Sequence, residues 1–476
     1  KNLDNILNSS AGMPSSILKF SNFSSLISNL ANPSVVPIHK KGSRTSVENY
    51  RPISLCSVIG KLMASIINSF IVSHLSEHKL LCSQQFGFQK NKSCALQLVD
   101  CLNCWTKLLD QKKSVDVVYI DFQKAFDSVV HSKLITKLEN FGFGAALCEW
   151  LKSFLSNRIQ RVKINGILSD LANVISGVPQ GSVLGPTLFL IFIDDLVNHV
   201  QPSEIRLFAD DLKVFTTSEN CDSLQQNLDS IVSWTEAWQL PISYSKCNVL
   251  YLGRSNPKKS YTLRDITLED VGNGCRDLGV FISSSLSSSV HCNNIVSKAS
   301  RISALIHRTF VSKDPELKLR AFKAYVRPIL EYATTAWNPH LLKDIKNVER
   351  VQRRFTKRIL AKPGMTYPER LNFLKLDSLE LRRIHFDAIL AFQIIQQRIL
   401  PFEKFYKFST GVTRSALNSD LCTNKFRLDC RKFSFSSRSL KIWNFLPPDV
   451  RKSANINIFK KSLPKIDFGP FIHGRV

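Results

Sequence analysis

Acidic residues are scarce in this chain: 38 Asp and Glu stand against 64 Lys and Arg, a formal net charge of +26 over 476 residues. That imbalance disfavours a neutral small-molecule partner and favours a polyanion, nucleic acid ahead of an anionic membrane surface. No uninterrupted apolar run of about 18 residues is present, so no membrane span is expected. The 12 cysteines show no paired framework of the kind that staples small secreted domains. Cys101 and Cys104 do form a CxxC, but neither a second CxxC nor a His pair follows at zinc-finger spacing. Both are expected as buried helix residues. With no signal peptide evident, reduced thiols and an intracellular compartment are the expectation. There is no internal repeat. The chain opens on Lys1, as a fragment would.

What is present describes a folded protein. Hydrophobic residues make up 44% and charged residues only 21%, enough for two to four domains with real cores. The few acids are placed conspicuously. Asp121 lies in VVYIDFQKAFDSV, and Asp210-Asp211 in IRLFADDLKVF, each inside an apolar, β-branched run that reads as a buried strand. Ionised carboxylates buried in this way are costly, several kcal/mol each, unless a cation compensates them. Two strands bringing carboxylates to one edge therefore predict a divalent-metal site. On a basic chain, that site implies a metal-dependent polymerase of nucleic acid.

The remaining pattern alternates strands and helices. VVPIHKKG reads as a strand entering a basic turn, ISLCSVIG as a further extended segment, and GKLMASIINSFIVSHLSEH as an amphipathic helix. A second helix is expected over 93–112, then the strand VDVVYIDF and the helix HSKLITKLENFG. A hairpin turning at Asn165-Gly166 leads into a Gly/Pro loop. PTLFLIFIDDLVNHV reads as one helix, IRLFADDLKVFTTS as a hairpin, and SLQQNLDSIVSWTEAWQL as another helix. The order gives an α+β, palm-like layer.

The segments VPIHKKG…YRPISL, LLCSQQFGFQKNKSC, YIDFQKAFDSVVH, SGVPQGSVLGPTLFLIFIDDL, FADDLKVF and DLGVFIS resemble, in order, the reverse-transcriptase blocks of non-LTR retrotransposons, nearest the jockey-like lineage. The motifs cover 31–285, and a looser likeness continues through VERVQRRFTKRIL almost to the end. The resemblance implies a right-hand polymerase fold of fingers, palm and thumb with a mostly helical C-terminal part. Fingers and palm would occupy 31–285 and a thumb-like helical region 286–362. Residues 1–30 would be an unassigned N-terminal remnant, and 363–476 a basic region of unknown role. It also implies an RNA template, a DNA primer and dNTPs as partners, two Mg²⁺ ions with Mn²⁺ as a substitute, and a nuclear location during integration, the cytoplasm being the alternative.

Chemistry and the resemblance agree on the metal ligands. Nucleotidyl transfer needs two divalent ions about 4 Å apart. Asp121 and Asp210 would bridge them, with Asp211 acting through one ion or a water. Two other acidic positions compete less well: Asp127, expected to have left the strand, and Asp194-Asp195, which reads as a solvated helix end.

The resemblance places Phe126 under the incoming sugar, where a ring would exclude a 2′-hydroxyl. It also sets Gln180 and Gly181 against the nascent pair, and Lys40 (with Lys41 a near-equal rival) and Arg51 on the triphosphate. Lys246 would protonate departing pyrophosphate, although Cys247 follows it where the family more often has Thr. Leu278-Gly279-Val280 resembles the primer grip. In the helix over 343–362, Ile345, Val348, Phe355 and Ile359 mark a buried face. Lys346, Arg350, Arg353, Arg354, Lys357 and Arg358 are left to track the nucleic-acid backbone.

The entry to the first strand, between Ile27 and Val35, is shorter than the family's, consistent with a deletion or a misjoined gene. No endonuclease is expected upstream, and no spaced acids after residue 364 suggest an RNase H. The last segment, with Phe433, Phe435 and Trp443, would either bind element RNA or pack on the thumb. Two alternatives to an active enzyme stand open: an inactive remnant of such an element, and a host-recruited RNA-binding protein.

Overall fold

A computed structural model describes residues 34–409, 420–422 and 425–473. The expected N-terminal remnant, 1–30, lies outside the described residues. Strands β1 (Ser34–His39) and β2 (Tyr50–Leu55) pair antiparallel, Ser34 opposite Leu55 and His39 opposite Tyr50. Helix α1 (Val58–Glu77) follows at once. The extended segment expected to reach Gly60 ends early because Ser57 caps the helix, its Oγ accepting the Gly60 N–H at 3.1 Å. That local bond overrides the strand preference of Val58 and Ile59.

By length and composition α1 is apolar enough to cross a membrane. It packs Ala64, Ile67, Ile71 and Leu75 into the core and leaves Ile59, Leu62 and Ile66 exposed. Helix α2 (Cys94–Asp110) buries Leu98, Cys101 and Trp105 and is capped by Ser93. Strand β3 (Val115–Ile120) then leads to α3 (His131–Asn140) and α4 (Ala145–Leu155). Strand β4 (Arg158–Ile164) pairs antiparallel with β5 (Ile167–Leu168) and β6 (Ala172–Val174), and parallel with β1. The β4–β5 turn is Asn165-Gly166 as expected, both at positive φ, the two-residue geometry that suits strand twist.

Helix α5 (Leu184–Ile193) is almost wholly buried. The single helix expected over 186–200 instead tightens into a 3₁₀ segment, Asp194–His199. There, Asp194 accepts the Cys82 N–H at 2.8 Å, and Asp195 accepts from the buried Lys137 and from Trp234 Nε1. This acidic pair is therefore a structural anchor rather than a solvated helix end.

Next come β7 (Glu204–Phe208), β8 (Asp211–Thr217), α6 (Cys221–Trp238) and β9 (Asn248–Leu252). The small strands β10 (Thr262–Leu263), β11 (Ile266–Thr267) and β12 (Glu269–Asp270) precede the hairpin β13 (Gly274–Asp277) and β14 (Val280–Ser283).

The central sheet has the order β12-β9-β3-β8-β7 and is covered on both faces. Val118 and Ile120 join the cluster with α5 and α6, while Val115 and Val117 join the opposite one with α2 and the β14 hairpin. Double coverage explains why β3 reads as an almost continuous apolar run.

The rest is helical: α7 (Ser289–Thr309), α8 (Leu342–Leu360), α9 (Leu379–Gln397) and α10 (Phe435–Phe445). Helix α8 packs on α7, and α10 on α9. Trp443 and Phe435 are core residues, and Phe433 stacks on His340 at 4.3 Å. Arg427 and Arg431 reach back to Asp110 and Asn103 of α2. These aromatic residues pack the C-terminal part against the rest of the chain. All 12 cysteines are unpaired.

Candidate active site

The antiparallel register of β3 and β8, Ile120 opposite Leu212, sets Asp121 just past the end of one strand and beside Asp211 at the start of the next. Asp210 lies in the turn between them and β7: Phe208 faces Asp211, and the two residues of the turn are Ala209 and Asp210. Ala209 adopts a left-handed φ of 55°, strained for a residue with a Cβ.

A residue the sequence reading passed over holds this turn. Gln85 is buried, and its Oε1 accepts the N–H of Ala209 at 2.9 Å and of Gly87 at 2.8 Å. Phe86 N–H donates to Leu207 O, so QQFGF lies along β7. Gly87 is needed there because a Cβ would come within 2.4 Å of the Ala209 nitrogen. A buried-capable amide beside a glycine, in a motif already marked, was the signal.

The three carboxylates disturb one another. Lost solvation in the cleft pushes Asp210 up, and Asp121 adds to it, against the lowering pull of Lys40 and Arg51. Asp211 keeps an exposed edge, yet its carboxyl is pushed up to about 6 by lost solvation and by the charges of Asp210, Asp121 and Asp277. Lys246, in a short 3₁₀ turn, donates to Asp121 Oδ2 at 2.7 Å. Among the described residues, no three His, Cys, Asp or Glu side chains converge tightly enough to form a ready-made cage. The donor set still fits hard divalent cations: three oxygen ligands on adjacent strand ends, two of them held reluctant to ionise by their neighbours.

The residues expected to meet the nucleotide have these positions. Lys40 and Arg51 sit on the paired β1–β2 segment, Arg51 opposite Ile38 and the Lys40 N–H bonded to Asn49 O at 2.7 Å. Both are near enough to Asp210 to stabilise its charge. The Gln180 carbonyl accepts the Ser54 N–H at 2.8 Å. Gly181 has φ +108°, and a Cβ there would lie 2.8 Å from Ser54 O, so the loop is fastened to β2. Phe126 is half-buried, stacked on Phe189 at 4.5 Å and edge-on to Phe88 at 6.3 Å, which fixes its ring.

Asp127 turns toward Gln180 instead: both its oxygens accept from Nε2, at 3.0 and 3.1 Å. Ser176 Oγ bonds its carbonyl, and Gly177 packs so closely that a Cβ would lie 2.6 Å from the Asp127 Cα.

Leu278 and Gly279 form the two-residue turn of the β13–β14 hairpin, at φ 43° and 87°. Tyr332 OH donates to Leu278 O at 2.9 Å. On α8 the expected buried residues Ile345, Val348, Phe355 and Ile359 are all inside. Lys346, Arg350, Arg354, Lys357 and Arg358 are exposed. Arg353 departs from that group: half-buried, its guanidinium lies over the Tyr367 ring at 5.2 Å. Glu349 and Gln352, on the same buried face, bond Tyr367.

The sequence model of the family described as reverse transcriptase (RNA-dependent DNA polymerase) matches residues 38–283. The RNA-directed DNA polymerase from mobile element jockey of Drosophila melanogaster is 30% identical over 348 residues, 69% of this chain and 38% of that protein. The probable RNA-directed DNA polymerase from transposon BS of the same fly is 34% identical over 224 residues, 44% of this chain and 25% of that protein. The chain thus spans well under half the length of these relatives. Among solved structures, a Candida tropicalis telomerase with a TWJ fragment of telomeric RNA aligns with TM-score 0.43 and 12% identity, covering 81% of this chain and 67% of that one. By its motifs in order, its sheet and the matched family model, the chain belongs to the reverse transcriptases, and it is similar to those of the jockey and BS elements.

Proposed function

We propose that the chain is an RNA-directed DNA polymerase that extends a DNA primer on an RNA template. The observation that carries this reading is the meeting of Asp121, Asp210 and Asp211 at adjacent strand ends, with Lys40 and Arg51 facing them from β1–β2. Asp121, Asp210 and Asp211 would hold two divalent ions, Mg²⁺ with Mn²⁺ as a substitute. When bound, such ions lower the pKa of the primer 3′-hydroxyl and neutralise the triphosphate.

The protein's own groups do the rest. Lys40 and Arg51 hold the triphosphate through charge-assisted hydrogen bonds. Phe126, locked by Phe189, excludes a 2′-hydroxyl, and Gln180 and Gly181 bring the backbone against the nascent pair. Lys246, which bonds Asp121, gives a proton to departing pyrophosphate. Leu278-Gly279-Val280 holds the primer end. The exposed cations of α8 follow the template–primer backbone, a contact independent of sequence. Residues 31–285 supply fingers and palm and 286–362 the thumb. Integration into a chromosomal target would need the chain in the nucleus, with the cytoplasm the alternative.

Primer extension on poly(rA)/oligo(dT) with Mg²⁺ tests this, wild type against Asp210→Ala. Incorporation that disappears in the variant supports both polymerase and metal site. Binding without incorporation by the wild type would indicate a remnant or a recruited RNA-binding protein. Activity that survives Asp210→Ala would overturn the site.

A further inference from the structure

The β13–β14 hairpin is not hydrogen-bonded into the central sheet. No ladder therefore fixes its distance from the carboxylates at the ends of β3 and β8. Polar side-chain links span the gap instead, centred on Asp277, with a Tyr119–Cys275 contact beside them. Lys213 of β8 donates to both oxygens of Asp277, the last residue of β13, at 2.6 Å to Oδ1. Tyr119 OH donates to Asp277 Oδ2 at 3.4 Å. Lys213 and Tyr119 face each other across β8 and β3.

The positions are telling. Lys213 lies two residues after Asp211 and Tyr119 two before Asp121, so strand alternation puts each on the same side as its carboxylate. Asp277 immediately precedes the Leu278-Gly279 turn. Both charges are almost wholly buried, Lys213 at 1% and Asp277 at 4% exposure. A buried pair of this kind adds little stability over an apolar pair of similar volume, whereas it does fix one arrangement of its partners.

We propose that Lys213 and Asp277 are positioning residues, with Tyr119 as their brace, which set the height of the Leu278-Gly279 turn, and so of the primer 3′ end, relative to Asp121 and Asp211. The inference rests on reading that turn as the primer grip.

Removing one charge alone strands the other, so the informative variants keep a balanced interior: the double variant Lys213→Met/Asp277→Leu, and Asp277→Glu, which keeps the pair but lengthens it by one methylene. Each is compared with wild type in two ways: steady-state extension of oligo(dT) on poly(rA), and photo-cross-linking of a primer ending in 4-thiothymidine. In wild type the cross-link is expected on the peptide holding Leu278–Val280. Both variants are expected to keep their circular dichroism and bind template–primer within about threefold of wild type. They should lose about tenfold to a hundredfold in kcat, with little change in the KM for dNTP, and most of the cross-link at the turn. A folded double variant, or a folded Asp277→Glu, with wild-type kcat and cross-link would overturn the proposal and show the pair to be packing alone. A wild-type cross-link that falls elsewhere would overturn the primer-grip reading instead, and the inference with it.

Discussion

Asp127 presents both carboxylate oxygens to the side-chain amide of Gln180, 53 residues further along the chain. A carboxylate can only accept, so it fixes the Gln180 amide with Nε2 inward and Oε1 free for a base or nucleotide. Asp127→Ala should loosen that amide while leaving the three metal-site carboxylates untouched. A hydrogen bond to a charged group contributes about 1.5–3 kcal/mol, so kcat/KM for dNTP should fall roughly ten- to hundredfold. Asp127→Asn should recover part of it, and the Mg²⁺ dependence should not move. Steady-state kinetics at varied dNTP and Mg²⁺ would check both; a shifted Mg²⁺ requirement would make Asp127 a ligand after all.

Gln85 holds the Asp210 turn from inside the protein. Gln85→Leu leaves the buried N–H groups of Ala209 and Gly87 without an acceptor, a loss of about 1–3 kcal/mol. Urea denaturation should show the lower midpoint, and primer extension should weaken because the turn carrying Asp210 is no longer fixed.

Gly181→Ala meets two obstacles, the backbone at φ +108° and a Cβ 2.8 Å from Ser54 O. The loop must lift from β2, moving Gln180 with it. Extension should fall by about tenfold or more with template binding unchanged, measured by filter binding beside kinetics.

The raised carboxyl of Asp211 gives a pH dependence. Its pKa of about 6 in the folded, metal-free protein lies above the ordinary value near 4, so the folded state holds the proton more tightly than the unfolded one. The contribution of Asp211 to metal-free stability, read as wild type against Asp211→Asn, should therefore decline as pH rises from about 4 to about 6 and level off above. Mg²⁺ competes with that proton, so stabilisation by Mg²⁺ should grow through the same window and shrink in Asp211→Asn. Melting temperatures across pH with and without Mg²⁺ would show it; a flat Mg²⁺ increment would contradict it.

On α8, Arg350→Ala, Arg354→Ala and Arg358→Ala together should weaken template–primer binding equally for all sequences. The dependence of log K on log salt should flatten by roughly one unit per lost phosphate contact. Arg353→Ala should act mainly on thermal stability, because its guanidinium covers Tyr367.

The parts legible in the sequence were those written in local pattern. A lone acid in a β-branched run, Asn165-Gly166 between strands, and apolar residues at helical spacing in α8 each signal their structure within a dozen residues. Ser57 shows the limit even there: β-branched Val58 and Ile59 suggested strand, and one capping hydroxyl reversed it. What stayed hidden depends on partners far along the chain. Gln85 meets Ala209 across 124 residues and Lys213 meets Asp277 across 64, and no composition or period records such meetings. Asp194 and Asp195 looked like a wet helix end because Cys82 and Lys137, which engage them, lie far upstream. Phe435 and Trp443 left RNA binding and packing equally open until their burial was visible.

Strand β1 lies parallel to β4, Ser34 opposite Arg161, with β2, β3 and the four helices α1 to α4 between them in the chain. A nascent chain leaving the ribosome thus makes the β1–β2 hairpin early but has no third strand for it until more than a hundred further residues have emerged. At translation speeds of roughly 5–20 residues per second, that is a wait of several seconds with an open edge. The sheet that carries Lys40 and Arg51 is completed only after β3, the strand that carries Asp121 at its end, has been made.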